Sequence, residues 1–281
     1  MFLKLFQHRE QRPPCPICIF CYHKVATTLM TKIFKQICAI QGWNFLALRG
    51  KQNTIPLGAD VVIFMHSLIN IDNIDTPFLG IHIVRDPRDI IVSGYLYHKR
   101  TNEAWCINKD HHIQESILFP QIPYSQEHRP EAWKKAYLSS LGEKSYQENL
   151  LCRSEAEGIN FEMNNYGSWT INSMRNWVYG NPKVLEVRFE DIMSEYDKTL
   201  KMIFDHFQFD QKTKNIAVSI ARRHDIKRKS PGEISNIRHV SSVQTTRWKE
   251  YFNHQLKREF IAKFDSVLIG LEYENDNSWM S

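Results

Sequence analysis

The sequence predicts an α/β protein, a single domain with a central, mostly parallel sheet flanked by helices. Three observations lead there. Short runs of Val, Ile and Phe recur without polar alternation, as expected of strands covered on both faces. Segments of helical periodicity separate them. A chain of 281 residues, 42% hydrophobic and 24% charged, supplies a full core, which excludes a disordered chain, a collagen or a disulfide-stapled miniprotein.

Ile17–Tyr22 is the first expected strand. It runs into the loop His23–Thr28, after which Leu29, Ile33, Ile37 and Ile40 recur at helical spacing, giving strand, loop, helix. Phe45–Leu48, Val61–Met65, Ile81–Val84 and Val184–Val187 are the remaining strand candidates. Pro87 suits a first helical turn, Ile90, Ile91, Gly94, Tyr95 and Tyr97 carry the apolar face onward, and Lys99 and Arg100 complement the negative end of the dipole. Residues 1–15 are expected as an N-terminal extension. Residues 101–165 contain Pro120, Pro123 and Pro130, with helical patterns only over Glu131–Leu141 and Ser145–Ala156, so an insertion over the sheet is expected there. Tyr166–Tyr179, Tyr196–Phe207, Lys212–Arg223 and His254–Leu268 complete the expected helices, and Lys229–Gly232 marks a loop.

Lys plus Arg total 36 against 31 Asp plus Glu, a net charge of +5. That suits an anionic small ligand and is too mild for nucleic acid, whose footprint is a dense basic stripe. The cluster Arg222, Arg223, Lys227, Arg228 and Lys229 is expected as a solvated helix end. Apolar runs stop far short of the roughly 18 residues a membrane span needs. Lys4 interrupts Phe2, Leu3, Leu5 and Phe6, leaving no signal-peptide core, so the expected location is the cytoplasm. Cys15, Cys18 and Cys21 have a spacing seen in metal sites. On a strand, however, Cys18 faces away from Cys21, and His23 becomes a fourth ligand only if the strand is absent. Buried thiols and no metal are the expectation.

A strand that ends in a small-residue loop and opens a helix offers free backbone N–H groups and a positive helix end to an anion. Lys24 adds a full charge there, and Thr27 and Thr28 add hydroxyls; the alternative is that one of the threonines merely caps the helix. No Walker A pattern occurs, which argues against a kinase-like ATP enzyme. Farther along, Arg85 ends a strand and Ser93 lies two turns into the next helix. A guanidinium fork with a hydroxyl suits a phosphate monoester. The alternative is an Arg85–Asp89 surface ion pair, worth about 0–1 kcal/mol.

With these two motifs the chain resembles the sulfotransferases that use 3′-phosphoadenosine-5′-phosphosulfate (PAPS). His23-Lys24-Val25-Ala26-Thr27-Thr28-Leu29 is similar to the family's 5′-phosphosulfate loop P-K-S-G-T-T-W. Arg85 to Ser93 is similar to its 3′-phosphate motif R-x-x-x-D-x-x-x-S. The segment Val184–Asp191 resembles the strand ending in Y-E-D, and Lys229–Glu233 and Trp248–Phe252 stand where the family has its nucleotide-closing loop and W-K segment. The resemblance covers roughly residues 16 to 270, excluding 101 to 165, and implies the P-loop-NTPase-like sulfotransferase fold.

It also implies residue roles. Lys24, Thr27 and Thr28, with the backbone of Val25 and Ala26, would hold the 5′-phosphosulfate, and Arg85 and Ser93 the 3′-phosphate. His66, which ends the run Val61–Met65, stands where many members place the catalytic base, and Phe189 would contact adenine. Ala26 replaces the usual loop Gly, Leu29 stands where an adenine-stacking Trp is common, and Asp225-Ile226 stand near an expected Ser-Phe. The late R-K-G register falls on Ser241-Ser242-Val243, leaving Arg238 and Arg247 as candidates for the second phosphate arginine.

The implied reaction moves a sulfuryl group from PAPS to a hydroxyl or amine of a small-molecule acceptor and leaves 3′,5′-adenosine bisphosphate (PAP). It needs an in-line acceptor, a base and positive charge on the departing phosphate, a list that requires no metal. Trp105, His111, His112, Phe119, Tyr124, Trp133 and Tyr137 are expected either to wall the acceptor pocket or to form the insertion's own core. The competing expectation is a non-catalytic PAP- or PAPS-binding protein that keeps the fold. No residue speaks to oligomeric state.

Overall fold

Each Val- and Ile-rich run becomes a strand in the computed structural model, which describes residues 12–107, 136–137, 139–230 and 245–280. The strands are β1 (Ile17–Phe20), β2 (Phe45–Leu48), β3 (Val61–Phe64), β4 (Leu79–Val84) and β5 (Val184–Arg188). They form one sheet in the order β2-β3-β1-β4-β5, and every pairing is parallel. β1 lies at the centre, with Ile17 opposite Val61 on one side and Leu79 on the other. After β1 the chain turns towards β2, and after β4 towards β5. This divergence opens a crevice beyond the carboxyl ends of the central strands, the usual ligand position in open parallel sheets.

Twelve α-helices are described: α1 (Thr27–Gln41), α2 (Pro87–His98), α3 (Ala104–Ile107), α4 (Tyr146–Leu151), α5 (Glu155–Asn164), α6 (Tyr166–Arg175), α7 (Phe189–Ser194), α8 (Tyr196–His206), α9 (Gln211–His224), α10 (Trp248–Tyr251), α11 (His254–Phe264) and α12 (Val267–Gly270). The first buries Met30, Ile33, Phe34, Ile37 and Cys38 and stops at Gly42, whose φ of 67° suits glycine. Ile40, expected on its apolar face, is exposed instead. Nearly the whole of α2 is buried, which follows from its place between the sheet and the helices of residues 146–175.

The sheet divides the core. One face carries Ile19, Cys21, Ile63 and Ile83 towards α1 and α2, and the other carries Cys18, Phe20, Val62, Phe64 and Trp177. Cys18 and Cys21 thus lie on opposite faces, as the alternation predicts, and burial pushes both thiols up, that of Cys21 to about 12. Such thiols are poor thiolate ligands.

Several expected elements change at their ends. The helix expected over Ser145–Ala156 is two helices, because Ser154 starts a new one with a capping box to Glu157. The helix expected over His254–Leu268 breaks at Asp265, where φ is 43°. That expected over Tyr166–Tyr179 ends at Arg175, and Phe189, expected in a strand, opens α7. The described parts of 101–165 join the main core: Tyr146, Leu150, Ile159 and Met163 are buried with the sheet residues. Glu162 accepts from His98 Nδ1 and from the Tyr146 hydroxyl, both at 2.8 Å, so this stretch is fastened to α2. Most of Glu131–Leu141 lies outside the described residues.

Candidate active site

A cavity of about 840 Å³ opens at the carboxyl ends of β1, β3 and β4. Lys24, Val25, Ala26, Thr27, Thr28, His66, Arg85, Ser93, Phe189 and Arg247 all line it, so residues spread over more than two hundred positions meet in one space. Arg238 lies outside the described residues.

The loop after β1 is shaped by its backbone. Lys24 and Ala26 both occupy the left-handed region, with φ of 62° and 53°. The position of the family's loop glycine therefore does require a positive φ, and Ala26 meets it with strain. Ala26 is the N-cap of α1 and caps with no side-chain hydrogen bond. The Thr27 hydroxyl donates to the Tyr22 carbonyl at 2.8 Å, which fastens the loop to its strand. The hydroxyl proton of Thr27 is thus used within the loop, and so is the backbone N–H of Val25, expected at the anion, which donates to the same carbonyl at 3.1 Å. The start of α1 has no side-chain cap, and its first residues, Thr27, Thr28 and Leu29, line the cavity, an arrangement that favours an anion.

Lys24 stands above this cradle, its Nζ 4.0 Å from the centroid of the Tyr97 ring. Burial, followed by the nearby charges of Arg85 and Arg100, lowers its pKa to about 7, while Glu103 and Glu162 pull the other way. A cation held this weakly is one that an anionic ligand would stabilise.

Arg85 links the two expected anion sites, which are parts of one cavity. Its Nη1 donates to the Lys24 carbonyl at 2.9 Å, and its guanidinium lies 4.4 Å from the centre of the Phe189 ring. Its Nε is buried without a hydrogen-bond partner among the described residues. Asp89 does not form the surface ion pair considered from sequence, since it is itself buried and bonded to the backbone of the C-terminal segment. Ser93 follows one turn later. Arg247 reaches the cavity from that segment, with Nη2 donating to the Tyr251 hydroxyl at 3.2 Å and Nη1 buried without a partner among the described residues. Unpaired buried guanidinium N–H groups are expensive and point to an acceptor that belongs there.

His66 follows β3, and the next residue fixes its surroundings: Ser67 takes φ of 51° and donates its hydroxyl to the Cys21 carbonyl at 2.7 Å, tying the ends of β3 and β1 together. The His66 Nδ1 is buried without a partner among the described residues. Burial first, and then the Arg49 charge, depresses its pKa to about 4, so the imidazole is neutral at physiological pH.

Two further walls complete the cavity. Leu29, Phe189, Met193 and Ile226 make an apolar slot, so Leu29 and Ile226 contribute although neither is the aromatic residue of the family pattern. On the other side are Tyr97, Glu103, Trp105 and Tyr166. The Tyr97 hydroxyl donates to Glu103 at 2.9 Å, Trp105 Nε1 donates to the other oxygen at 2.6 Å, and Trp105 stacks on Tyr166 with centroids 5.3 Å apart. Of the aromatics expected there, Trp105 lines the cavity, whereas Tyr137 packs on Trp169 and donates to Asn165. His111, His112, Phe119, Tyr124 and Trp133 lie outside the described residues.

Arg49, Tyr97 and Glu103 also line the cavity, and no motif of the sequence singles them out. Tyr97 had a usable signal, lying four residues beyond Ser93 on the same helix face, and so did Arg49, just past the end of β2.

No family model matches the chain, and no curated protein sequence matches it. Solved structures of similar shape include a mouse sulfotransferase, SULT7A1, complexed with PAP, at 18% identity over 90% of this chain and 84% of that one, with a TM-score of 0.46. Another is retinol dehydratase in complex with androsterone and inactive cofactor PAP, at 12% identity over 92% of this chain and 81% of that one, also with a TM-score of 0.46. Likenesses this distant leave the chemistry of this chain to be argued from its own residues.

Proposed function

We propose that the cavity binds a 3′-phosphorylated adenine nucleotide and that the protein is a sulfotransferase, moving the sulfuryl group of PAPS to a hydroxyl or amine of a small molecule. One observation carries the reading: a lysine over an uncapped helix N-terminus and a pair of arginines with unpaired buried N–H groups share a single cavity. Two separated anionic groups fit this donor set, and the apolar slot of Leu29, Phe189, Met193 and Ile226 suits a base near them. PAPS when bound supplies an activated sulfuryl group on a phosphate leaving group.

The residues then divide the work. Lys24 and the N–H groups at the start of α1 hold the 5′ end and neutralise charge that grows on the departing oxygen, an electrostatic gain realised mainly in the transition state. Arg85, Ser93 and Arg247 hold the 3′-phosphate, with charge-assisted bonds of roughly 1.5–3 kcal/mol each. His66 lines the cavity and is neutral because it is buried, so its imidazole can take a proton from the acceptor, the role of a general base. Trp105 and Tyr166 give the acceptor a stacking wall.

Calorimetric titration with PAP, ADP and 5′-AMP tests the nucleotide assignment. PAP is expected to bind at least about tenfold more tightly than ADP, because only PAP offers a 3′-phosphate to the arginines. Equal or absent binding refutes it. For the base, His66→Ala is expected to lower turnover of labelled PAPS by about 10²-fold or more while PAP affinity stays within about twofold. Parallel loss of both would remove His66 from that role.

A further inference from the structure

The two carboxylate oxygens of Asp89 are bonded on either side of Arg247. Oδ2 accepts from the backbone N–H of Thr246 at 2.7 Å, and Oδ1 from that of Trp248 at 2.9 Å. Asp89 is 1% exposed, and the partners lie more than 150 residues away in the chain. Thr246 holds φ of 70°, a conformation a threonine rarely adopts, so the clamp fixes a strained turn there. The Trp248 ring, one residue past Arg247, lies 3.7 Å from the guanidinium carbon of Arg88, which Trp279 covers at 4.6 Å and which Asp86 and Glu274 pair. The segment is thus held on both sides of a residue whose own side chain enters the cavity.

We infer that Asp89 is a positioning residue that sets Arg247 as the second arginine of the 3′-phosphate site. The inference rests on the nucleotide reading above and assigns to Asp89 a role that spacing alone does not give. It explains the interval of the motif physically. Positions 85, 89 and 93 recur at one helical turn, so they share one side of α2 and its entry. Arg85 and Ser93 face the ligand directly, and Asp89 between them recruits a third donor from a distant segment. A carboxylate suits this task because it is acceptor-only and takes two N–H bonds at once, whereas an amide oriented to accept at one atom presents N–H to the other.

A double-mutant cycle tests this. PAP and ADP affinities are measured for the full-length chain and for Asp89→Asn, Arg247→Ala and the double variant, with melting temperatures alongside. Each single change is expected to weaken PAP by at least about tenfold and ADP by no more than about twofold, and the double variant is expected to be no weaker than Arg247→Ala. Additive losses, or equal losses for PAP and ADP in Asp89→Asn, would overturn the inference, since a merely structural carboxylate moves both ligands together. If Asp89→Asn fails to fold, Arg247→Ala still decides the matter: unchanged PAP preference would show that Arg247 is not the second arginine. Wild-type protein with no preference for PAP over ADP would instead refute the nucleotide reading, so the two failures are distinguishable.

Discussion

The helices that open at the cavity begin in opposite ways. The first, α1, starts at Ala26 without a side-chain cap, behind a loop in which Lys24 and Ala26 take left-handed backbone angles. The second, α2, starts at Asp86, whose carboxylate accepts from the Arg88 N–H at 2.9 Å, with Pro87 at the first helical position. A capped helix keeps its terminal N–H groups for itself, so what α2 presents to the cavity is side chains, Arg85 before it and Ser93 within it. An uncapped one leaves those groups to a ligand, and there the shape of the main chain makes the site. The same cavity is therefore bounded by a backbone cradle on one side and a side-chain clamp on the other.

The largest expected effect breaks the side-chain clamp. Arg85→Ala removes the guanidinium proposed to hold the 3′-phosphate and also its bond to the Lys24 carbonyl and its packing on Phe189. PAP affinity is expected to fall about 100-fold, and ADP affinity by a smaller factor that reports on the lost bond to the loop. Equal factors for the two ligands would mean that Arg85 acts only through the loop. The next effect concerns the cradle. Lys24 has a pKa near 7 without ligand, and an anion beside it raises that value, so binding takes up a proton once pH exceeds about 7. Affinity is then highest below this point and declines by up to about tenfold per pH unit above it, until the pKa of the bound form is reached. Titrations across that range check the slope. Lys24→Met is expected to be flat over the same range and weaker at the acid end; a wild-type profile that is equally flat would remove Lys24 from the 5′ contact.

The same contrast governs how much could be read from the chain. Strand positions were legible to within a residue or two because buried parallel strands are written as unbroken runs of Val and Ile, as in Val61–Phe64 and Ile17–Phe20. The Arg85/Ser93 pair was legible because its geometry follows from helical periodicity. The cradle was legible in residue type and illegible in shape: neither Lys24 nor Ala26 is a residue that announces a positive φ, and the bond from Thr27 to Tyr22 depends on it. The helix ends at Cys152 and Asp265 are illegible for a related reason: the periodicity continues across them, and what breaks it is the capping box of Ser154 in one case and the φ of 43° at Asp265 in the other. Asp89 shows a third kind of limit. It stands in plain view in the motif, but its partners are Thr246 and Trp248, and no pattern within a helix identifies a bond of that range.

The smallest expected effect isolates the backbone of the cradle from its chemistry. Ala26 holds φ of 53°, a conformation that costs an L-residue roughly 1–2 kcal/mol. Glycine adopts it freely and gives back about 0.5–1 kcal/mol through the greater entropy of the unfolded chain. Ala26→Gly is therefore expected to stabilise the protein by about 0.5–1 kcal/mol, which for a chain of this size raises the melting temperature by roughly 1–3 °C. Its backbone N–H stays where it was, so PAP affinity should remain within about twofold of wild type. Thermal unfolding and calorimetry on the same preparation separate the outcomes. A gain in stability with unchanged affinity identifies the strain as the consequence of having alanine where the turn needs a left-handed residue. Loss of stability would show that Ala26 contributes packing worth more than the strain, and a gain in affinity would show that the strained loop is displaced from its best binding geometry.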